Sequence, residues 1–409
     1  MRKTIILFIL LILIAKTFTQ ELYIVNSSSE TISHVQIPQM TSTNNFAQIG
    51  IWANQVIYHE TQIYVVNSGD NNIQILNNAG TTQDYLYLED SSNPYNIIIH
   101  NDFAYVTGWG TGKLYKINLD SKNQSFIEIG TGPQSMIIRN DFMYISLSGF
   151  NYTAYESGKI AIVNLNTFSL VGYIDVHTNP QEMLFHNDQL HIICTGDYAY
   201  QPSKVVVIEL PNDEEDGVEV GTIEFPWSFF TTIQKGPDGL IYIGSGLGLG
   251  FASYNANTLE IVNNMENIAF PTGQSLIYDA DYIYVLSPDY FFNSKLLIYN
   301  YRKELVNQIE LGIGSISMCF KADPVSIKDN PLPDILTFNT YPNPFTTNVK
   351  FDVRGFTGNV LIEIYNVKGQ KIGQTEKLEW DIENLPAGIY FARVTDSEKT
   401  LTRRIVKVR

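Results

Sequence analysis

The sequence predicts an all-β protein with two domains, and three observations support this. Of its 409 residues, 25 are tyrosines, 12% are aromatic and only 17% are charged, which is a composition that favours strands. A short Tyr-containing strand motif recurs along most of the chain. The C-terminal segment lacks that motif and follows a different pattern. Because a chain of this length exceeds one ordinary core, the repeats and the C-terminal segment are interpreted as separate domains.

The N-terminus has the pattern of a signal peptide. Arg2 and Lys3 precede an unbroken apolar run, Ile5–Ala15, which polar residues follow up to Gln20. A helix of that run would be about 16 Å long, too short to cross a hydrocarbon core of about 30 Å. Residues 1–20 are therefore predicted to be a signal peptide, and no transmembrane anchor is expected elsewhere.

The body of the chain repeats with the length of a propeller blade. The repeated strand starts at Tyr23, Tyr64, Tyr105, Tyr144, His191, Tyr242 and Tyr284, with spacings of 39 to 51 residues. Asn-Asp turns such as Asn101-Asp102 close recurrent hairpins. The chain enters part-way through one unit at Leu22 and ends on an unpaired strand, Ser315–Lys321. Pairing these two ends predicts a closed seven-bladed β-propeller over residues 21–323.

The repeat resembles a known one. Tyr23-Ile-Val-Asn, Tyr64-Val-Val-Asn and Tyr105-Val-Thr-Gly resemble the YVTN repeat of surface-layer-type seven-bladed propellers, and the resemblance covers residues 22–323. It implies the propeller architecture, but it says almost nothing about the chemistry of the protein, because this fold has diverse functions.

The C-terminal segment predicts a small immunoglobulin-like β-sandwich over residues 335–409, after a Pro-containing linker at 324–334. It resembles the type A C-terminal sorting domain of type IX secretion cargo. The resemblance rests on Tyr341–Phe345, Ile364–Gln370, Leu385–Val394 and the terminal Lys407-Val-Arg. The motif residues selected from these segments are Pro342, Asn343, Pro344, Gly369, Gly388, Tyr390 and Lys407.

That resemblance implies export across the outer membrane, with the secretion translocon as a partner and a secreted or cell-surface destination. In the family the sorting domain is commonly removed, sometimes with attachment to a surface glycolipid. The residues alone leave an accessory immunoglobulin-like module as the alternative. The predicted signal peptide favours the sorting interpretation, because such cargo first needs a periplasmic step.

Charge and motif content exclude several functions. Residues 21–334 hold 12 Lys and Arg against 34 Asp and Glu, so this acidic body is not expected to bind nucleic acid. His59, His100 and His186 share one repeat position with Arg139 and Lys321, which indicates a structural role rather than a metal site. The glycine-rich run 244–250 precedes no helix and is not expected to bind phosphate. The sequence therefore predicts no metal and no cofactor, and it shows no catalytic constellation.

Two surfaces are candidates for ligand binding. Seven polar residues are predicted to surround the axial pore near the start of each inner strand: Gln55, Asn96, Ser135, Glu182, Thr231, Ser275 and Ser317. Aromatic residues are predicted to gather in the loops of one face, and the candidate ligand-binding residues, with Glu182, are Trp52, Trp109, Tyr152, Tyr198, Tyr200, Trp227, Tyr254 and Tyr290. Such a face suits sugar rings or extended peptides.

Two functions of different classes follow. The first is a surface or extracellular binding module that recognises a glycan or peptide through the aromatic face. The alternative is a pore-centred propeller hydrolase or lyase of the lactonase-like kind. A non-enzymatic role is favoured, because no acid–base pair or activated nucleophile is visible in the sequence.

Overall fold

The computed structural model describes residues 20–37, 39–210, 217–225, 229–321, 337–341, 343–354, 360–381, 385–395 and 400–408. Residues 1–19 of the predicted signal peptide, the predicted linker at 324–334, Trp227 and Pro342 lie outside these residues. The chain divides into two compact units, Met1–Pro324 and Val325–Arg409. In the described parts of both units every regular element is a strand.

The described residues of the first unit form 28 strands. They are β1 (Glu21–Asn26), β2 (Thr31–Gln36), β3 (Thr41–Gln48), β4 (Ala53–His59), β5 (Gln62–Asn67), β6 (Asn72–Asn77), β7 (Thr82–Tyr87), β8 (Pro94–His100), β9 (Phe103–Gly108), β10 (Lys113–Asn118), β11 (Gln124–Glu128), β12 (Pro133–Arg139), β13 (Phe142–Leu147) and β14 (Lys159–Asn164). They continue with β15 (Ser169–Asp175), β16 (Pro180–His186), β17 (Gln189–Cys194), β18 (Ser203–Glu209), β19 (Val218–Phe225), β20 (Phe230–Lys235), β21 (Ile241–Ser245), β22 (Phe251–Tyr254), β23 (Ile261–Asn263), β24 (Ser275–Tyr278), β25 (Ile283–Ser287), β26 (Asn293–Tyr299), β27 (Leu305–Ile313) and β28 (Ser315–Phe320).

These strands form seven four-stranded antiparallel sheets, which are the blades of a propeller. Blade 1 has the order β28-β1-β2-β3, and blades 2 to 7 take the following strands in groups of four. In blade 1 the last strand pairs with the first, with Leu22 opposite Phe320 and Asn26 opposite Ser315. The pairing closes the ring and covers the edge of β1 that would otherwise be unpaired. The all-β, seven-bladed prediction is confirmed.

The hydrophobic cores lie between neighbouring blades. One cluster combines Tyr23 and Ile32 of blade 1 with Val56 and Val65 of blade 2. The repeated tyrosines are buried in these cores. In blades 6 and 7 the hydroxyl also reaches a carboxylate of the preceding turn, since Tyr242 donates to Asp238 at 2.5 Å and Tyr284 to Asp279 at 2.6 Å. The recurrent strand motif therefore supplies a large buried side chain to the cores between blades.

Hydroxyl groups also join the blades near the axis. Thr107 Oγ1 of blade 3 donates to the carbonyl of Gln134 in blade 4 at 2.9 Å, and Thr195 Oγ1 of blade 5 donates to Phe230 O of blade 6 at 2.7 Å. These bonds satisfy inner-strand carbonyls that have no partner within their own sheet. They hold the inner strands at a fixed distance from the axis.

The second unit is a two-sheet sandwich. Its strands are β29 (Thr337–Tyr341), β30 (Asn348–Arg354), β31 (Leu361–Asn366), β32 (Lys371–Thr375), β33 (Glu379–Asp381), β34 (Gly388–Thr395) and β35 (Thr400–Lys407). They form one sheet β29-β30-β33 and another β32-β31-β34-β35. Phe338, Phe351, Ile364 and Ile405 are buried between them. The predicted sandwich is confirmed, and β29 and β32 are additional to the strands expected from the sequence.

Candidate functional site

The axial channel of the propeller is a polar cavity of about 340 Å³. All seven residues predicted to surround the pore line it. Amide and hydroxyl side chains supply most of the polar groups, and Glu182 is the only ionisable acid or base among the Asp, Glu, Lys, Arg and His side chains of the described residues that line it. The channel is therefore a hydrogen-bonding cavity with a single carboxyl group.

The strand register corrects one member of the predicted ring. In β8, β12 and β16 the ring residue immediately precedes the residue that pairs again after a bulge, such as Asn96 before Ile97, which lies opposite Val106. In β4 the ring residue Gln55 is itself the first to pair after the bulge, opposite Val66. In β20 Thr232, opposite Gly244, has that place. The ring position of blade 6 is therefore Thr232 rather than Thr231.

Several ring side chains share a structural task. Ser317 Oγ accepts from the N–H of Val56 at 3.2 Å, and Gln55 Oε1 accepts from Ile97 N–H at 2.6 Å. Glu182 Oε2 accepts from Ile233 N–H at 3.1 Å. In each case the ring side chain satisfies a backbone N–H at the bulge of the next blade.

Glu182 has an unusual environment for a carboxyl group. Burial in the channel raises its pKa from 4.5 to about 7, although the hydrogen bond from Ile233 acts in the opposite direction. Its partial exposure is to the inside of the channel, which protein surrounds. Burial also raises the pKa of Tyr95 above its ordinary value, and the neighbouring Glu182, Tyr198 and Tyr155 add to this effect. Tyr95 therefore lies between the channel and the aromatic loops.

On the loop face, aromatic side chains form a continuous row that we name the aromatic arc: Trp109, Phe150, Tyr155, Tyr198 and Phe229. Successive ring centroids are 6.2, 4.8, 6.2 and 5.6 Å apart. The arc crosses from blade 3 to the start of blade 6. The sequence predicted aromatic residues on this face, and the structure brings them into contact.

Backbone conformation in these loops is strained at aromatic positions. Tyr152, Tyr198 and Phe229 have φ values of 70°, 61° and 47°, and Trp52 on the same face has 51°. Bulky residues avoid this region, and holding one there costs roughly 1–3 kcal/mol. Asn or Gly would relieve the strain, so the aromatic rings at these positions are not explained by loop stability.

A cavity of about 290 Å³ adjoins one end of the arc. Trp109, Phe150 and Tyr152 form its aromatic wall, and glycines between 110 and 132 form its floor. A Cβ on Gly110 would lie 2.2 Å from the carbonyl oxygen of Ser91, so a larger residue does not fit without a backbone shift. Because the glycines have no side chains, they leave the floor of the cavity open beside its aromatic wall. The sequence contained this signal in the spacing of Gly110, Gly112, Gly130 and Gly132, which the prediction did not use.

The other predicted ligand-binding residues have different environments. Trp52, Tyr152, Tyr198, Tyr200 and Tyr290 are exposed, with Tyr200 at 93%. Trp109 is half-buried against Phe150 and Tyr152.

Tyr254 was predicted wrongly. It ends β22 and is fully buried, where its hydroxyl lies 2.9 Å from Nδ1 of His191. The reason is that the loop before β22 spans only residues 246–250, so Phe251 and Tyr254 belong to the strand. Phe230 is likewise fully buried in β20.

Sorting-motif residues fasten the edges of the C-terminal sandwich. Asn343 Nδ2 donates to Arg404 O and its Oδ1 accepts from Val406 N–H, both at 2.9 Å. Tyr390 donates to Pro386 O at 2.6 Å. Gly369 takes a φ of 74° in the turn before β32.

The described residues offer neither a metal cluster nor a membrane helix. No group of three His, Cys, Asp or Glu side chains converges among them. None of their elements is a helix long and apolar enough to cross a membrane.

The comparisons with known proteins address the two units separately. Residues 339–408 match the family model of the secretion system C-terminal sorting domain. A search of curated proteins finds no match.

Solved structures resemble the propeller. A putative 6-phosphogluconolactonase from Bacteroides fragilis has a TM-score of 0.56 at 12% identity, covering 75% of this chain and 99% of that one. One from Bacteroides uniformis has a TM-score of 0.56 at 12% identity, covering 74% and 99%. A functionally unknown protein from Desulfotomaculum acetoxidans has a TM-score of 0.55 at 12% identity, covering 75% and 100%. At such identity the likeness shows the fold alone.

The C-terminal match and the propeller fold agree with the sorting domain and the architecture expected from the sequence. The C-terminal match assigns the chain to export. The chain is an exported protein, secreted or carried on the outer cell surface, with a β-propeller and a type IX secretion C-terminal sorting domain.

Proposed function

We propose that the propeller is an extracellular carbohydrate-binding module whose ligand lies along the aromatic arc. The observation that carries this proposal is the contact between arc rings from four consecutive segments of the ring of blades, from Trp109 to Phe229. Of the arc residues, Tyr198 is exposed and the other four are half-buried. Partly exposed ring faces beside hydrogen-bonding groups suit sugar rings, which are apolar on one face and polar at the edge.

A glycan fits better than the other ligands considered. The residues lining the channel and the arc cavity include Glu182 and Glu128 but neither Lys nor Arg, so an anionic ligand would be poorly accommodated. An extended peptide that adds a strand needs an accessible sheet edge, whereas the arc presents ring faces in loops. A neutral or cationic oligosaccharide matches both features.

The test is a glycan array probed with the full-length chain and with Trp109→Ala. Binding to an oligosaccharide by the wild type is expected, and the variant should lose about 1–3 kcal/mol of affinity, as a central aromatic contact typically contributes. Tyr87→Ala is the matched control, because Tyr87 is 64% exposed on the outer strand β7 and lies outside the arc. A proline-rich peptide bound in preference to every glycan would contradict the proposal.

One observation favours the second candidate, a pore-centred hydrolase or lyase. Glu182 has a pKa of about 7, a value suited to general acid–base catalysis near neutral pH. In this candidate hydrolase or lyase, Tyr95 is the second titratable side chain beside Glu182. The two Bacteroides proteins are named for a phosphorylated sugar lactone. The described residues that line this channel include no Lys or Arg to pair with such a phosphate group. Turnover of unphosphorylated lactones that Glu182→Gln abolishes would establish this candidate.

A further inference from the structure

The carboxyl group of Glu182 is not required by its structural task. Its Oε2 accepts from Ile233 N–H, and at the same position of blade 2 the amide of Gln55 accepts from Ile97 N–H at 2.6 Å. In blade 1 the hydroxyl of Ser317 does the same for Val56. Neutral groups therefore satisfy this backbone donor in neighbouring blades.

A carboxyl group at this position is also costly. Burial raises the pKa of Glu182 to about 7, and no Lys or Arg is among the described residues lining the channel. The other titratable groups that line the channel are Tyr95 of β8 and Cys319 of β28. Burial raises the pKa of both, that of Cys319 to about 12, so both are neutral at pH 7. Glu182 alone brings charge, and nothing in the channel compensates it.

Acceptors without partners lie around the same cavity. Asn96 Oδ1, Thr231 Oγ1 and Gln274 Oε1 are buried and lack a hydrogen-bond partner among the residues described. All three residues line the channel, and they come from blades 3, 6 and 7. A cavity with one uncompensated carboxyl group and three unfilled oxygens is suited to a ligand rich in donors and positive in charge.

We propose that the mouth of the channel binds the primary ammonium group of an amino sugar, which pairs with Glu182 while the adjoining sugar rings lie on the aromatic arc. Tyr95 joins the two regions, because it lines the channel beside Glu182 and neighbours Tyr155 and Tyr198 of the arc. This inference rests on the proposed carbohydrate-binding function and specifies its ligand. A cationic end group supplies the donors that the channel lacks.

The experiment compares two oligosaccharides that differ only in the amine. Glucosamine hexamer and N-acetylglucosamine hexamer are titrated calorimetrically, at pH 6.5, into the full-length wild type and Glu182→Gln. We expect the wild type to bind the glucosamine hexamer at least about tenfold more tightly, equivalent to about 1.4 kcal/mol. Glu182→Gln should abolish that preference, because an amide carries no charge to pair with the ammonium group. The variant should fold, because Gln55 already makes the equivalent bond.

Glu128→Gln is the matched control. Glu128 is an exposed carboxylate that lines the arc cavity beside Trp109, so it offers an alternative place for the ammonium group. The preference should survive in this variant. A preference lost in Glu128→Gln, or retained in Glu182→Gln, overturns the channel assignment.

The failures of the two proposals are distinguishable. Equal affinity of the wild type for both hexamers keeps the carbohydrate-binding function and overturns the ammonium site. If neither hexamer binds, the arc proposal fails for these sugars. Saturation-transfer NMR with free glucosamine then tests the ammonium site in the channel. Transfer to the wild type but not to Glu182→Gln supports the ammonium site, whereas equal transfer or none overturns it.

Discussion

Replacing Glu182 with Gln should stabilise the propeller, and the gain should depend on pH. The folded-state pKa of Glu182 is about 7, against 4.5 for an ordinary Glu side chain. Between these two values the folded state holds a proton that the unfolded chain has released. Stability therefore falls as pH rises from 4.5 to 7 and is level above that range. A Gln side chain has no proton to release and shows no such fall.

The size of the effect follows from the same two pKa values. One pKa unit corresponds to about 1.4 kcal/mol, so the fall from pH 4.5 to above pH 7 amounts to about 3 kcal/mol. At pH 8 the variant should thus be more stable than the wild type by about 3 kcal/mol. For a domain of this size that is roughly 5 °C in the melting temperature. At pH 4.5 the two proteins should melt almost together, because Glu182 is then protonated in the folded state.

Differential scanning calorimetry of the full-length proteins from pH 4.5 to pH 8.5 measures this difference. Gln55→Glu is the converse control, because it places a second carboxyl group at the equivalent position of blade 2. That variant should lose stability as pH rises, and by more than the wild type does. A difference between wild type and Glu182→Gln that is constant with pH, or a less stable variant at pH 8, would refute the reasoning.

Three further outcomes are expected. Deleting residues 335–409 should leave a folded propeller in the periplasm of the native host, and recovery of the truncated protein from the medium would contradict the sorting role. Cys194 and Cys319 lie three blades apart and are both unpaired. Both should therefore react with a thiol reagent once the protein is unfolded without reductant, whereas a mass two hydrogens lower would indicate a disulfide and refute the blade register. Trp109→Ala should destabilise the propeller by about 1 kcal/mol, because its ring packs against Phe150 and Tyr152, and an unchanged melting temperature would show that these contacts contribute nothing.

The sequence predicted the blades well because the repeat couples a strand motif to a turn. A buried tyrosine such as Tyr284 follows a hairpin turn that carries Asn or Asp, here Asp279. In most blades this local order of turn and strand recurs, so the blade repeat is visible without knowledge of contacts. Closure of the ring was also predictable, since the unpaired first and last strands complete each other.

The candidate site was less predictable because it depends on where individual loops end. Tyr254 and Trp227 were assigned to the loop face from spacing alone, yet β22 begins early enough to bury Tyr254. The ring residue of blade 6 was predicted one position too early, because the inner-strand bulge is not visible in the sequence. Contacts among arc rings come from four separate loops, and no local pattern encodes such distances.

The pairing of β1 with β28 sets the order in which the propeller can be completed. Leu22 and Phe320 are opposite each other, and Glu21 forms an ion pair with Lys321 at 3.0 Å, so the two ends of the ring meet in one blade. β28 is the last of the 28 strands to be synthesised. Until it emerges, blade 1 has no inner strand and the edge of β1 is open to pairing with other chains. The exported protein must therefore be protected from misassociation while nearly its whole propeller has been made. The propeller can reach its native state only after β28 is available.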